Sequence, residues 1–178
     1  MPRNRLFWSS LWLLGCIAGC GAQRTPDEAA AIAVIERLGG KIKFAEDRPG
    51  RPVVEVALGG TAVSDADLEQ LGCFAELESL SLFDSGVGDA GLAHLKPLAN
   101  LKTLYLGRTK ITDAGLVAIA ELSQLKSLGL SDTRVTDDGL LRLTRLSRLA
   151  SINLRRTPTT DAAVRKLKES LPQLVVHR

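Results

Sequence analysis

Five aspartates, Asp65, Asp89, Asp113, Asp137 and Asp161, stand at intervals of 24 residues. An array of carboxylates is the chemistry of a cation site. Their fixed place just ahead of predicted helices argues for another role, because negative charge there suits the helix dipole. We therefore read them as capping residues. Asp65, Asp67 and Glu69 also cluster, but lack the glycine and the ligand count of a calcium loop. Gly86, Gly88 and Gly91 spell G-x-G-x-x-G between a predicted strand and a predicted helix, the form of a dinucleotide fingerprint. The sister segments argue against it. Gly86 aligns with Lys110 and Arg134, and Gly88 with Thr112 and Thr136. His94 and His177 have no patterned nucleophile or ligand partner. No catalytic set assembles, and no enzyme activity, cofactor or metal is expected.

The elements that carry these residues repeat. Val53, Leu77, Leu101, Leu125 and Leu149 recur every 24 residues, and so strict a period predicts stacked coils rather than an irregular core. Each coil opens on a short strand. Leu80 and Leu82, Leu104 and Leu106, Leu128 and Leu130, and Ile152 and Leu154 are its alternate, inward positions. A polar turn follows, in which Thr112 and Thr136 are read as helix caps. Three apolar residues at helical spacing come next: Leu68, Leu71 and Phe74, then Leu92, Leu95 and Leu98. Leu116, Ile119 and Leu122 follow, and then Leu140, Leu143 and Leu146. The last coil drifts through Val164, Leu167 and Leu171 to a final strand at Leu174, Val175 and Val176.

A stack exposes its first layer unless that layer is capped. Thr25, Pro26 and Glu28 predict a capped helix start. Ile32, Ile35 and Leu38 form its stripe, and Gly39 and Gly40 end it. A strand at Lys41 to Phe44 and a turn at Asp47 to Gly50 complete a helix-hairpin cap over residues 25–52, with repeats over 53–178.

Residues 1–19 read as a signal peptide. Arg3 and Arg5 precede an apolar stretch from Leu6 to Ile17, too short to span a bilayer. Ile17, Ala18, Gly19 and Cys20 resemble a bacterial lipobox. That resemblance implies cleavage before Cys20 and a lipid on its sulfur, with Cys16 a weaker second candidate. Gly21, not aspartate, follows, as in lipoproteins sent to an outer membrane. Residues 20–24 would then be a short tether, holding the body close to the lipid. Ordinary cleavage and free secretion is the alternative. Cys73 is left without a disulfide partner and reads as a small apolar filler.

The whole chain carries a net charge of +3. Loss of Arg3 and Arg5 leaves 21 bases against 20 acids, which gives no drive toward nucleic acid. Nine bases against two acids between Arg142 and Arg178 make one end basic. This is a solvated end or a contact for phosphate-bearing lipid or an acidic partner.

The turn Thr109 to Gly115, matched by Thr133 to Gly139, resembles the leucine-rich repeat class with Thr-x-Ile/Val-Thr-Asp-x-Gly-Leu, common in bacterial exported proteins. The likeness runs from Val53 to Val176. It implies an α/β, right-handed solenoid with parallel strands on the concave face and short helices on the convex face. A non-catalytic protein-binding module in the cell envelope follows from it. A structural, envelope-organising protein and a secreted effector-like repeat protein remain the alternatives. On the strand face, Phe83, Tyr105, Asn153 and Arg155 are the residues expected to touch a protein partner. At the strand exits, Asp84, Arg108, Asp132 and Arg156 alternate in sign and are expected to pair.

Overall fold

A computed structural model describes residues 25–178. The signal segment, Cys16, Cys20 and the tether lie outside the described residues. Helix α1 (Pro26–Arg37) starts with both arms of a capping box. Glu28 N–H donates to Thr25 Oγ1, and Thr25 N–H to Glu28 Oε2, each at 3.2 Å. Ala31 and Ile35 carry its buried stripe, while Ile32 and Leu38 pack at its margin. Gly39 turns the chain with φ +78°. Strand β1 (Lys41–Phe44) then runs antiparallel to β2 (Val53–Ala57).

From β2 onward every neighbour is parallel. The strands β3 (Ser79–Ser81), β4 (Thr103–Tyr105), β5 (Ser127–Gly129), β6 (Ser151–Asn153) and β7 (Val175–His177) follow in chain order, giving a seven-stranded sheet. Each strand pairs with the residues one period away: Val56 with Leu80, Leu80 with Leu104, Leu104 with Leu128, Leu128 with Ile152. The predicted inward positions from Leu80 to Leu154 are at most 1% exposed. The register continues one layer further than the leucine template, pairing Ile152 with Val176.

The return segments are tighter than the helices expected. The first is a 3-10 helix, Ala66–Cys73. Helices α2 (Asp89–Leu92) and α4 (Asp137–Arg142) run into 3-10 turns, and α3 (Leu116–Ile119) is one turn long. A short coil has to recross the stack in few residues, and 3-10 geometry rises more per residue. Helix α5 (Asp161–Ser170) is full length. The predicted triplets nonetheless reach the core in all four internal coils.

Two features of each coil were not foreseen. Asp84, Arg108, Asp132 and Arg156 have φ between 56° and 58°, and Gly60 at the same place has φ +70°. Left-handed backbone costs a non-glycine residue on the order of 1 kcal/mol or more. A hydroxyl one residue later closes each turn. Thr61, Ser85, Thr109, Thr133 and Thr157 donate to the carbonyls of Leu58, Leu82, Leu106, Leu130 and Leu154 at 2.6–2.7 Å.

Candidate interaction face

Asp65 stands at an N-cap position, and Asp89, Asp137 and Asp161 lie in the first turns of their helices, where their charge suits the dipole. None of these side chains bonds the N–H groups of its own helix. Four of the aspartates, Asp65, Asp89, Asp113 and Asp137, reach across to the next coil, and Asp161 pairs with Arg178. Asp89 accepts from Thr112 N–H at 2.8 Å and Thr112 Oγ1 at 2.6 Å. Asp113 accepts from Thr136 N–H at 2.7 Å and Oγ1 at 2.6 Å, and Asp137 from Thr160 N–H and Oγ1, both at 2.7 Å. Two charge-assisted bonds therefore tie each of these three pairs of coils. The carboxylates are engaged by hydroxyl and amide donors, and among the described residues no cluster could hold a metal. Thr136 stands at the N-cap position of α4, as its reading as a cap expects, but its side chain makes no bond to that helix and is spent on Asp113 instead. Thr112 does accept from Ala114 N–H, but α3 begins four residues later. Thr160 is a true cap of α5 through Ala163 N–H. The bonds from Thr160, backbone N–H first, hold the Asp137 carboxyl below the ordinary carboxylate range. Its clamp is thus complete above that range and is lost as pH falls through the lowered value.

The same clamp explains the glycine of the repeat. A Cβ on Gly91, Gly115 or Gly139 would collide with the carboxylate of Asp65, Asp89 or Asp113. It also disposes of the apparent dinucleotide fingerprint. Gly88 N–H is bound to Asp65 Oδ1 at 2.7 Å, in the place of Thr112 and Thr136, and only the hydroxyl bond is missing. The Gly88 backbone (φ −121°, ψ −170°) matches that of Thr136 (φ −108°, ψ −173°). A Cβ there meets Asp65 Oδ2 at an ordinary 3.4 Å. Gly88→Thr is therefore expected to stabilise the chain by about 1 kcal/mol, from the added bond and a less free unfolded chain. Calorimetry would show a melting point raised by roughly 2–4 °C; a fall would refute the homology between the coils.

The strand face is the other surface. Its columns run as the register dictates: Glu55, Ser79, Thr103, Ser127, Ser151, and beside them Ala57, Ser81, Tyr105, Gly129, Asn153. Against this small, polar background Phe83 is 41% exposed and Tyr105 44%. Each ring leans on a glycine of the next coil. A Cβ on Gly107 would lie 2.9 Å from Phe83 Cδ2, and one on Gly129 would lie 2.9 Å from Tyr105 Cδ1. The Arg108 guanidinium lies 5.9 Å from the Phe83 ring centroid, within cation–π range.

Beside the rings are two adjoining hollows. The larger, about 540 Å³, is walled by Phe83, Tyr105, Asn153 and His177. The smaller, about 340 Å³, is walled by Phe83, Asn153, Arg108, Asp132, Arg155 and Arg156. All four residues chosen from the sequence thus border this pair of hollows: Tyr105 one, Arg155 the other, Phe83 and Asn153 both. Asn153 Oδ1 accepts from Arg155 N–H at 3.1 Å, which fixes its amide. His177 and Arg108 were not foreseen. Adding one period to Asn153 reaches His177, so the register carried the signal. The strand exits pair in part, with Arg108 to Asp84 at 3.8 Å and Arg156 to Asp132 at 3.4 Å. Such exposed pairs contribute roughly 0–1 kcal/mol each. Cys73 is half-buried, its Sγ 3.1 Å from the Gln70 carbonyl, and burial pushes its thiol up.

A family model described as a leucine-rich repeat matches residues 98–120. The leucine-rich repeat ectodomain of the receptor kinase SOBIR1 from Arabidopsis thaliana superposes with a TM-score of 0.54 at 13% identity, over 86% of this chain and 97% of that one. The chain folds as a leucine-rich repeat solenoid. An internalin, InlF, from Listeria monocytogenes matches at 20% identity and a TM-score of 0.44 over 61% of this chain. A leucine-rich repeat protein of Leptospira interrogans matches at 17% and 0.46 over 62%. The solenoid described here spans about a third of those two chains, 36% and 33%. A comparison with curated protein sequences found no match. Among the described residues of the solenoid no helix is long and apolar enough to cross a membrane.

Proposed function

We propose that the solenoid is a non-catalytic protein-interaction module whose strand face, centred on Phe83 and Tyr105, meets the partner. Repeat stacks of this kind generally work through the extended surface that their coils share. The observation that carries the reading is the pair of exposed rings. Each is held in place by a glycine of the next coil, on a face whose central positions are otherwise mostly serine, threonine and glycine. Rigid, half-exposed aromatics at the centre of a patch are where binding energy concentrates. Asn153 and Arg155 add hydrogen-bond donors along its edge.

The address comes from residues 1–24: export, then a lipid on Cys20, which places the module on the bacterial cell envelope. Intact-mass spectrometry of the mature chain tests this, and an unacylated product freed into the medium would refute it. For the face, wild type and the Phe83→Ala/Tyr105→Ala variant would be used to recover partners from envelope extract. The double variant is expected to lose at least tenfold of the specific partner while melting within a few degrees of wild type. Undiminished recovery of every partner would remove the strand face from the proposal.

A further inference from the structure

The two hollows differ in charge. Apart from His177, the larger is lined by small polar, glycine and apolar residues. The smaller gathers three guanidiniums, Arg108, Arg155 and Arg156, against the single carboxylate of Asp132. That carboxylate is already shared with Arg156 at 3.4 Å, and Arg108 is drawn to Asp84 and to the Phe83 ring. Arg155 is exposed and makes no ion pair among the described residues. The sheet face itself leans the same way. Lys41 and Lys43 on β1 stand opposite Ala57 and Glu55, so the face carries Lys41, Lys43 and Arg155 against Glu55.

We infer that the occupant of this face is an extended acidic peptide segment of the partner. An apolar side chain rests on Phe83 and Tyr105, and a carboxylate enters the arginine hollow to meet Arg155. The inference rests on the strand face being the contact surface, as proposed above. Its register follows from the sheet. Tyr105 is on β4, and Arg155 lies two residues beyond the end of β6, so they are two strand steps across and two residues along the strand direction from one another, about 12 Å. An extended chain covers that in about three to four residues. Aspartate or glutamate should therefore stand two to four residues from the apolar anchor. A carboxylate is favoured because the hollow carries excess positive charge and Arg155 offers a planar donor fork with no acid to satisfy it.

The test is selection of random dodecapeptides displayed on phage against the full chain. Affinities of the selected peptides are then read by fluorescence polarisation. Enrichment of an acid two to four residues from an aromatic or aliphatic residue is expected. Arg155→Glu should weaken those peptides about tenfold or more, as loss of a charged hydrogen bond implies, and higher salt should weaken them too. Arg155 is exposed, so the variant should melt like wild type. Peptides that need Phe83 and Tyr105, show no acid preference and ignore Arg155→Glu would overturn this inference and leave the contact face standing. Failure to select any peptide that depends on Phe83 and Tyr105 would overturn both.

Discussion

Leu106→Asp abolishes cooperative folding of the middle coils, whereas Tyr105→Asp, one residue away, shifts the melting point by no more than a few degrees. The two side chains sit on opposite sides of one strand exit. Leu106 is 0% exposed and lies between Leu82 and Leu130, both also 0% exposed. Asp at 106 forfeits the burial of a leucine, about 1.5–3 kcal/mol. It also brings a carboxylate into a stack with no cation to meet it, which costs several kcal/mol even after relaxation. A typical domain has only about 5–15 kcal/mol of stability. In a stack the damage spreads, since each coil is held by its two neighbours. Tyr105 is 44% exposed, and its replacement loses mainly the packing on Gly129. Circular dichroism melts of both variants decide the matter. Similar melting points would mean that the inward and outward columns are assigned the wrong way round.

Gly139→Ala destabilises the chain although it places a better helix former inside α4. Intrinsic propensity alone favours alanine by about 1 kcal/mol. The aspartate clamp reverses the sign. The new Cβ would overlap the Asp113 carboxylate that holds Thr136, and its carboxyl carbon would lie only 2.8 Å away. The clamp must open or the coils must part, and either costs about 2 kcal/mol, the worth of a charged hydrogen bond. Asp113→Ala alone should cost a similar amount. The double variant should then cost clearly less than the sum, with a coupling of at least about 1 kcal/mol. Denaturant titrations of the four chains measure it. Strict additivity would show that Gly139 and Asp113 do not share the contact described.

Much of this was readable because one period dominates. A 24-residue interval between leucines dictates which residues align on neighbouring strands. The inward column Leu80 to Ile152 and the outward column Ser81 to Asn153 both follow from it. The aspartates show where the reading stopped. A carboxylate just before a helix looks the same whether it caps that helix or crosses to Thr112 or Thr136 in the next coil. Only three-dimensional proximity separates the two. The left-handed turns were hidden for a different reason. Asp84, Arg108, Asp132 and Arg156 are not glycines, and the hydroxyl bond that steadies each turn is a contact rather than a composition. Strand β7 lacks the leucine template, so His177 was passed over despite lying one period after Asn153. Phe83 and Tyr105 were visible as outward aromatics. Their seating on Gly107 and Gly129, which shapes the two hollows, depends on side-chain direction.

The claim at the centre is that the partner meets the strand face and not the helix face. Two exposed apolar residues mark the alternatives, Tyr105 on the strands and Val117 on α3, which is 48% exposed. A photoreactive amino acid placed at either position, followed by illumination of intact cells, compares the two faces directly. The account predicts a discrete cross-linked partner from position 105 and none from position 117. Cross-linking from 117 with none from 105 would contradict it.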